Sequence, residues 1–152
     1  MIRVEHPGEL AAHAGQRLGH SGWVEITQAD IDDFARLTGD DHWIHIDTER
    51  ARREMPGGKT IAHGLYLVSL MPRLQRDIYA IEKRGRGLNY GYDRLRFVAP
   101  VPVGSRVRLA LTLIEAEPHM RGTRIVCEAA MEQDHTEGPA VVARHILLIE
   151  NP

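Results

Sequence analysis

From residue 86 onward the chain falls into four long extended runs, "GLNYGYDRLRFVAPV", "SRVRLALTLIEAEP", "TRIVCEAAMEQDH" and "AVVARHILLIEN", divided only by "PVG", "HMRG" and "HTEGP". Polar and apolar residues alternate, as in Arg106, Val107, Arg108 and Leu109, and successive side chains of a strand point to opposite faces. Separators this short suit antiparallel neighbours. Four such strands make a sheet with one apolar and one solvated face. The apolar face needs a cover.

One segment upstream can supply it. "IAHGLYLVSLMPRLQRDIYAI", residues 61 to 81, reads as an apolar helix in which Leu65, Val68, Leu70 and Met71 leave little polar surface, so burial against the sheet is expected. Pro72 has no amide proton for the carbonyl of Val68, which predicts a kink or break near it. With helices in the first half and strands in the second, the class is α+β, an apolar helix on the concave face of a curved sheet. At 152 residues and 43% apolar content, residues 1–152 are expected to form one domain.

The first half is organised by local signals. Residues 6 to 14 suit a short helix and "GWVEIT" a brief strand. "TQADIDDFARLTGD" predicts a helix capped by Thr27, with Asp30 as the capping-box acid, Ile31, Phe34, Ala35 and Leu37 on one face and Gly39 as the stop. "TERARRE" reads as a short helix capped by Asp47 or Thr48, and "MPGGK" as a loop.

Net charge of -2 and 5% aromatic residues offer no general attraction for nucleic acid and few stacking platforms. No window approaches a membrane span, and Arg3, Glu5 and Glu9 interrupt the N-terminal stretch where a secretory signal would be apolar. The single cysteine, Cys127, lies beside Ile125 and Val126 and reads as a reduced, buried thiol. A cytoplasmic location is the expectation.

The densest chemistry lies in "TGDDHWIHID", Thr38 to Asp47. Asp40 follows the helix-ending glycine, and His45 comes five residues later on what reads as an extended segment anchored by Trp43, Ile44 and Ile46. A carboxylate and an imidazole converging on one small molecule suit proton transfer at neutral pH, the acid's charge raising the pKa of a nearby histidine. Asp41 and His42 read as solvated or structural, and Asp47 as a cap. "HWIH" has an H-x-x-H spacing with Asp40, Asp47 and His63 near it, but zinc-binding histidines on a helix stand four apart, so no metal is expected. In "TIAHGLYL", Gly64 lies near the start of the apolar helix. First-turn amides lack internal partners, and one oxyanion donor contributes about 3 kcal/mol to a transition state.

The runs "ARLTGDDHWIHIDTERA", "GGKTIAHGLYLVSLMPRL" and "LNYGYDRLRFVAPVPVGSRVR", covering most of residues 22 to 110, resemble the MaoC-like hydratases, especially their NodN-like branch. The resemblance implies a hotdog fold and reversible hydration of trans-2-enoyl-CoA, or an enoyl carrier-protein thioester, to the (R)-3-hydroxyacyl thioester. It implies no metal or redox cofactor, and a homodimer with the thioester near the subunit interface. Asp40 and His45 match the family's catalytic pair and Gly64 its backbone donor. Where many short-chain relatives have Asn-Pro, this chain has His42 and Trp43; where they carry a serine eight residues after the glycine, it has Pro72, leaving Ser69 as the nearest candidate. His63, Ser69, Asn89, Tyr90, Arg94 and Arg96 are further candidates for substrate contact, the arginines for the phosphates of CoA. Arg106 and Arg108 read as a solvated sheet face. The alternatives are a hotdog thioesterase, which delivers water to C1, and a non-catalytic acyl-thioester binding subunit.

Overall fold

The computed structural model describes residues 1–152. Its strands are β1 (Ile2–Val4), β2 (Arg17–His20), β3 (Val24–Glu25), β4 (Tyr79–Ile81), β5 (Gly87–Phe97), β6 (Arg106–His119), β7 (Gly122–Gln133) and β8 (Pro139–Glu150). The helices are α1 (Gln28–Thr38), α2 (Trp43–Ile46), α3 (Thr48–Glu54), α4 (Gly64–Ser69) and α5 (Met71–Gln75), with 3-10 segments at Pro7–His13 and Pro56–Gly58. The four long runs are the four long strands β5 to β8. They pair antiparallel in the order β2-β6-β7-β8-β5, and β3 adds to β6.

Alternation sorts the two faces. Val107, Leu109, Leu111 and Leu113 of β6 and Ile125, Cys127, Ala129 and Met131 of β7 all enter one buried cluster. Cys127 is the buried thiol expected. On the opposite face Arg108 pairs with Glu132 at 2.6 Å and Arg144 with Glu128 at 2.7 Å, while Arg106 reaches Asp134 at 3.0 Å. The solvated-face reading of Arg106 and Arg108 therefore holds.

Tyr66, Leu67, Val68, Leu70, Met71 and Leu74 of α4 and α5 cover the apolar face. The two helices are separated at Leu70, two residues before Pro72, where the missing amide proton was expected to interrupt the ladder. Three expectations for this segment and its neighbours fail. Residues 79 to 81 are not helix but β4, which pairs parallel with β1, Ile2 opposite Tyr79; a strand partner distant in sequence outweighs local helical periodicity. Leu65 is 60% exposed rather than buried, and Leu37 of α1 is 78% exposed. The short helix expected at residues 6 to 14 does form, as the 3-10 segment Pro7–His13.

The buried polar residues include one histidine remote from the first half of the chain. His145 of β8 is 1% exposed, stacks on Tyr92 with ring centroids 4.6 Å apart, and its Nε2 lies 3.0 Å from Asn89 Oδ1. Burial pushes the imidazole down to about 4. Between that value and an unfolded value near ~6.5 the unfolded chain binds the extra proton, so stability rises with pH across this window. Acidification from pH 6.5 to 4 is expected to remove up to about 3 kcal/mol through this residue. Urea melts of wild type and His145→Leu across that range test it: the variant should lose most of the slope, and parallel slopes would contradict the assignment.

Candidate active site

The opening of the site is built by helix termination. Thr27 caps α1, its hydroxyl oxygen accepting from the Asp30 amide, and Gly39 ends the helix with φ of 79°, a left-handed conformation that glycine adopts without strain. Asp40 follows at once, exposed, its amide donating to Thr38 Oγ1 at 3.3 Å. Residues 43 to 46 are not extended, as their alternation suggested, but the single helical turn α2, after which Asp47 caps α3 by accepting from the Arg50 amide at 2.9 Å. The turn buries His45 and leaves Ile46 38% exposed, so Ile46 is not an anchor; Trp43 is half-buried, with the Arg50 guanidinium 4.0 Å above its ring.

Long-range bonds then orient the imidazole. His45 Nδ1 lies 2.7 Å from the Ile61 carbonyl. A carbonyl only accepts, so Nδ1 holds the proton and Nε2 presents the lone pair. Gln28 Nε2 donates to the His45 carbonyl at 2.8 Å, and Thr60 Oγ1 donates to Gln28 Oε1 at 2.6 Å. His63, 2% exposed, stacks on His45 with centroids 3.8 Å apart, and its Nε2 donates to the Asp40 backbone carbonyl at 2.8 Å. Gln28, Thr60 and Ile61 thus hold the site, yet nothing in the sequence marked them, because their partners lie 16 to 32 positions away.

A carboxylate oxygen of Asp40 and one ring nitrogen each of His45 and His63 lie within 4.8 Å of one another. That is a space for one water, and also a donor set able to compete for a cation. The set differs from the one the H-x-x-H spacing suggested, since His42 and Asp47 stand outside it. Burial holds the His45 imidazole below the ordinary histidine value; the Ile61 hydrogen bond and the Asp40 charge push upward without prevailing. The acid's charge pushes the imidazole up as expected, but desolvation is the larger effect and the net shift is downward.

Beside His45 opens a cavity of about 250 Å³, lined mostly by apolar residues including Ile61, Leu67, Phe97, Val98 and Val141, with Gly64 on its wall. Two hollows of about 440 Å³ elsewhere contain neither His45 nor Gly64. Gly64 is the first residue of α4, and no side chain caps that terminus. A Cβ on it would stand 2.5 Å from Cδ1 and Cε1 of Phe97, so the ring lies directly against the glycine.

Other candidates are not brought to this cavity within one chain. Ser69 is exposed and its hydroxyl donates to the Tyr66 carbonyl at 2.6 Å. Asn89 is engaged by His145 and Tyr92, Tyr90 is 61% exposed, and Arg94 and Arg96 point into solvent at a bulge of β5. Strand geometry spreads these four along an edge instead of collecting them.

Comparison with known proteins finds consistent relatives. A family model described as "MaoC like domain" matches residues 9–135. The 3-hydroxyacyl-thioester dehydratase Z of Mycobacterium tuberculosis is 44% identical over 148 residues, 97% of each chain. Nodulation protein N of Rhizobium leguminosarum bv. viciae is 38% identical over 146 residues, 93% of this chain and 89% of its own. Among solved structures, the unliganded R-hydratase PhaJ1 from Pseudomonas aeruginosa superposes with a TM-score of 0.70 at 21% identity, covering 91% of this chain and 83% of that one, which shows the shared hotdog fold.

Proposed function

The chain belongs to the family of MaoC-like dehydratase domains, and from that premise we propose that it catalyses reversible hydration of a trans-2-enoyl thioester to the (R)-3-hydroxyacyl thioester. The observation that carries this reading is the convergence of Asp40, His45 and His63 beside an apolar cavity walled by Gly64. Residues 1–152 act as one unit in this reading, supported by one cluster of 27 buried residues that draws on strands from β1 to β8.

Chemical roles follow from the tautomer. His45 enters neutral, with Nε2 free, so it accepts a proton from the bound water as the oxygen adds to C3. Asp40 accepts the hydrogen bond of the remaining O–H. The proton on Nε2 then passes to C2, regenerating the imidazole and leaving one water added across the double bond. The enolate that develops on the thioester oxygen is held by the Gly64 amide. His63 holds the Asp40 backbone and stacks on the base, which makes it a positioning residue. Arg94 and Arg96, exposed on the open strand, are the guanidiniums assigned to the phosphates of CoA or of a carrier protein's phosphopantetheine.

The reading is tested by the product. Incubation with crotonyl-CoA after dialysis against EDTA should remove the enoyl absorbance with the thioester intact and yield (R)-3-hydroxybutyryl-CoA on chiral analysis. Release of free thiol would identify a thioesterase. Binding without turnover would identify a non-catalytic subunit. Loss of activity that zinc restores would turn the Asp40, His45 and His63 set into a metal site.

The pH profile follows from the same base. Because His45 acts neutral and burial favours the neutral form, kcat/KM should be flat near pH 7 and fall tenfold per pH unit only below the depressed His45 value, under ~6.5. An acid limb centred above pH 7 would contradict His45 as base.

A homodimer is part of the proposal. β5 ends the sheet with an open edge eleven residues long, and Tyr90, Phe97 and Val98 on or after it are more than half exposed, as is Leu65 of α4. Pairing two such edges about a two-fold axis would cover them. Equilibrium sedimentation at micromolar concentration should give twice the 17.1 kDa chain mass; a monomer would refute it.

A further inference from the structure

Another cavity, of about 380 Å³, opens between the end of α5, β4, the start of β5 and the end of β8. It shares no lining residue with the His45 cavity. Phe97 faces Val141 in the β5–β8 pairing at the first site, and Gly87 faces Ile149 at the second, so roughly 30 Å of strand separates them.

Two of its lining residues carry buried polar atoms without a partner, Gln75 Oε1 and the Tyr79 hydroxyl. Tyr79 is 6% exposed. A hydroxyl left unpaired in the interior costs roughly 1–3 kcal/mol, and native chains rarely keep one unless something else satisfies it. Burial holds this phenol well above its ordinary value, so it remains a donor. Arg76 and Arg84 also line the cavity, both exposed, and no acidic residue does. Ile81, Leu147 and Ile149 add an apolar wall.

We propose that this cavity binds a small aliphatic hydroxycarboxylate: Arg76 and Arg84 take the carboxylate, the Tyr79 hydroxyl donates to the ligand, and Gln75 Oε1 accepts from its hydroxyl. Each orphaned group then has a partner of the right polarity, and the apolar wall carries the carbon chain. Two sources present this chemistry, a free hydroxy acid and the polar far end of an acyl thioester.

The probes are 3-hydroxyhexanoate, hexanoate and 1,3-hexanediol, titrated into the full-length protein by ligand-observed NMR. 3-Hydroxyhexanoate should bind about tenfold more tightly than either analogue. Tyr79→Phe and Arg84→Ala should each weaken it about tenfold, with crotonyl-CoA turnover unchanged. Tyr79→Phe should also melt no lower than wild type, because it deletes an unsatisfied group, so folding failure is not the expected confounder; exposed Arg84 gives an independent variant. A second arm compares enoyl-CoAs of equal length, long enough to span the roughly 30 Å between the two sites, ending in a methyl or a carboxylate. Preference for the carboxylate, lost in Arg84→Ala, assigns the acyl source; free binding without that preference assigns the hydroxy acid. Absence of both binding and preference, or equal affinity in both variants, overturns the proposal. The binding arm requires no turnover, so its failure is distinguishable from failure of the hydratase reading.

Discussion

His45→Gln and Asp40→Asn are each expected to reduce turnover of crotonyl-CoA at least ~100-fold while the protein remains folded. Glutamine at position 45 can still donate an amide hydrogen toward the Ile61 carbonyl, and the Gln28 bond reaches the backbone of residue 45, so the local scaffold survives. What it lacks is a lone pair that accepts a proton near neutrality. Asp40 is exposed, and His63 holds its backbone carbonyl rather than its side chain, so asparagine should leave stability nearly unchanged. Circular dichroism and melting curves establish folding, and stopped-time assays establish the loss. Near-normal hydration by either folded variant would remove that residue from the mechanism.

Gly64→Ala is expected to lower kcat/KM by about two orders of magnitude, a loss of the size produced by misplacing a substrate by about 1 Å. The amide itself survives in alanine. The damage comes from the methyl, which would sit 2.5 Å from two ring carbons of Phe97. That ring is 53% exposed and can rotate, so the collision should be relieved by displacing Phe97 across the mouth of the cavity more than by unfolding. The double variant Gly64→Ala, Phe97→Ala separates the causes. Recovery of at least tenfold relative to Gly64→Ala would place the fault in the ring. No recovery would mean the substrate itself needs the space beside the glycine, and wild-type activity in the single variant would show that the site tolerates a methyl there.

Much of the frame was legible because it is set by residues near each other in sequence. The caps at Thr27 and Asp47, the left-handed stop at Gly39 and the break before Pro72 are each decided within about four residues. Strand alternation likewise needs only a two-residue period, and it located β5 to β8 and their buried face. Shorter elements were less legible. Tyr79–Ile81 continues an apolar helical pattern but becomes a strand because Ile2–Val4 lies beside it, and Trp43–Ile46 winds into a turn despite its strand-like residues. Of the site, the pair Asp40 and His45 and the glycine Gly64 could be named from spacing and resemblance. Ser69, Asn89, Tyr90, Arg94 and Arg96 were named the same way, and one chain does not bring them to the cavity.

By itself, then, the sequence determined which groups the protein owns and the local turns that present them: a carboxylate after a helix stop, an imidazole five residues on and a glycine at a helix start. Only the tertiary structure decided what those groups are chemically. The Ile61 carbonyl chooses the His45 tautomer, burial outweighs the Asp40 charge on its proton affinity, and His63 closes the space to 4.8 Å. Each depends on desolvation and on partners far apart in the chain, and both come into being only when distant segments pack.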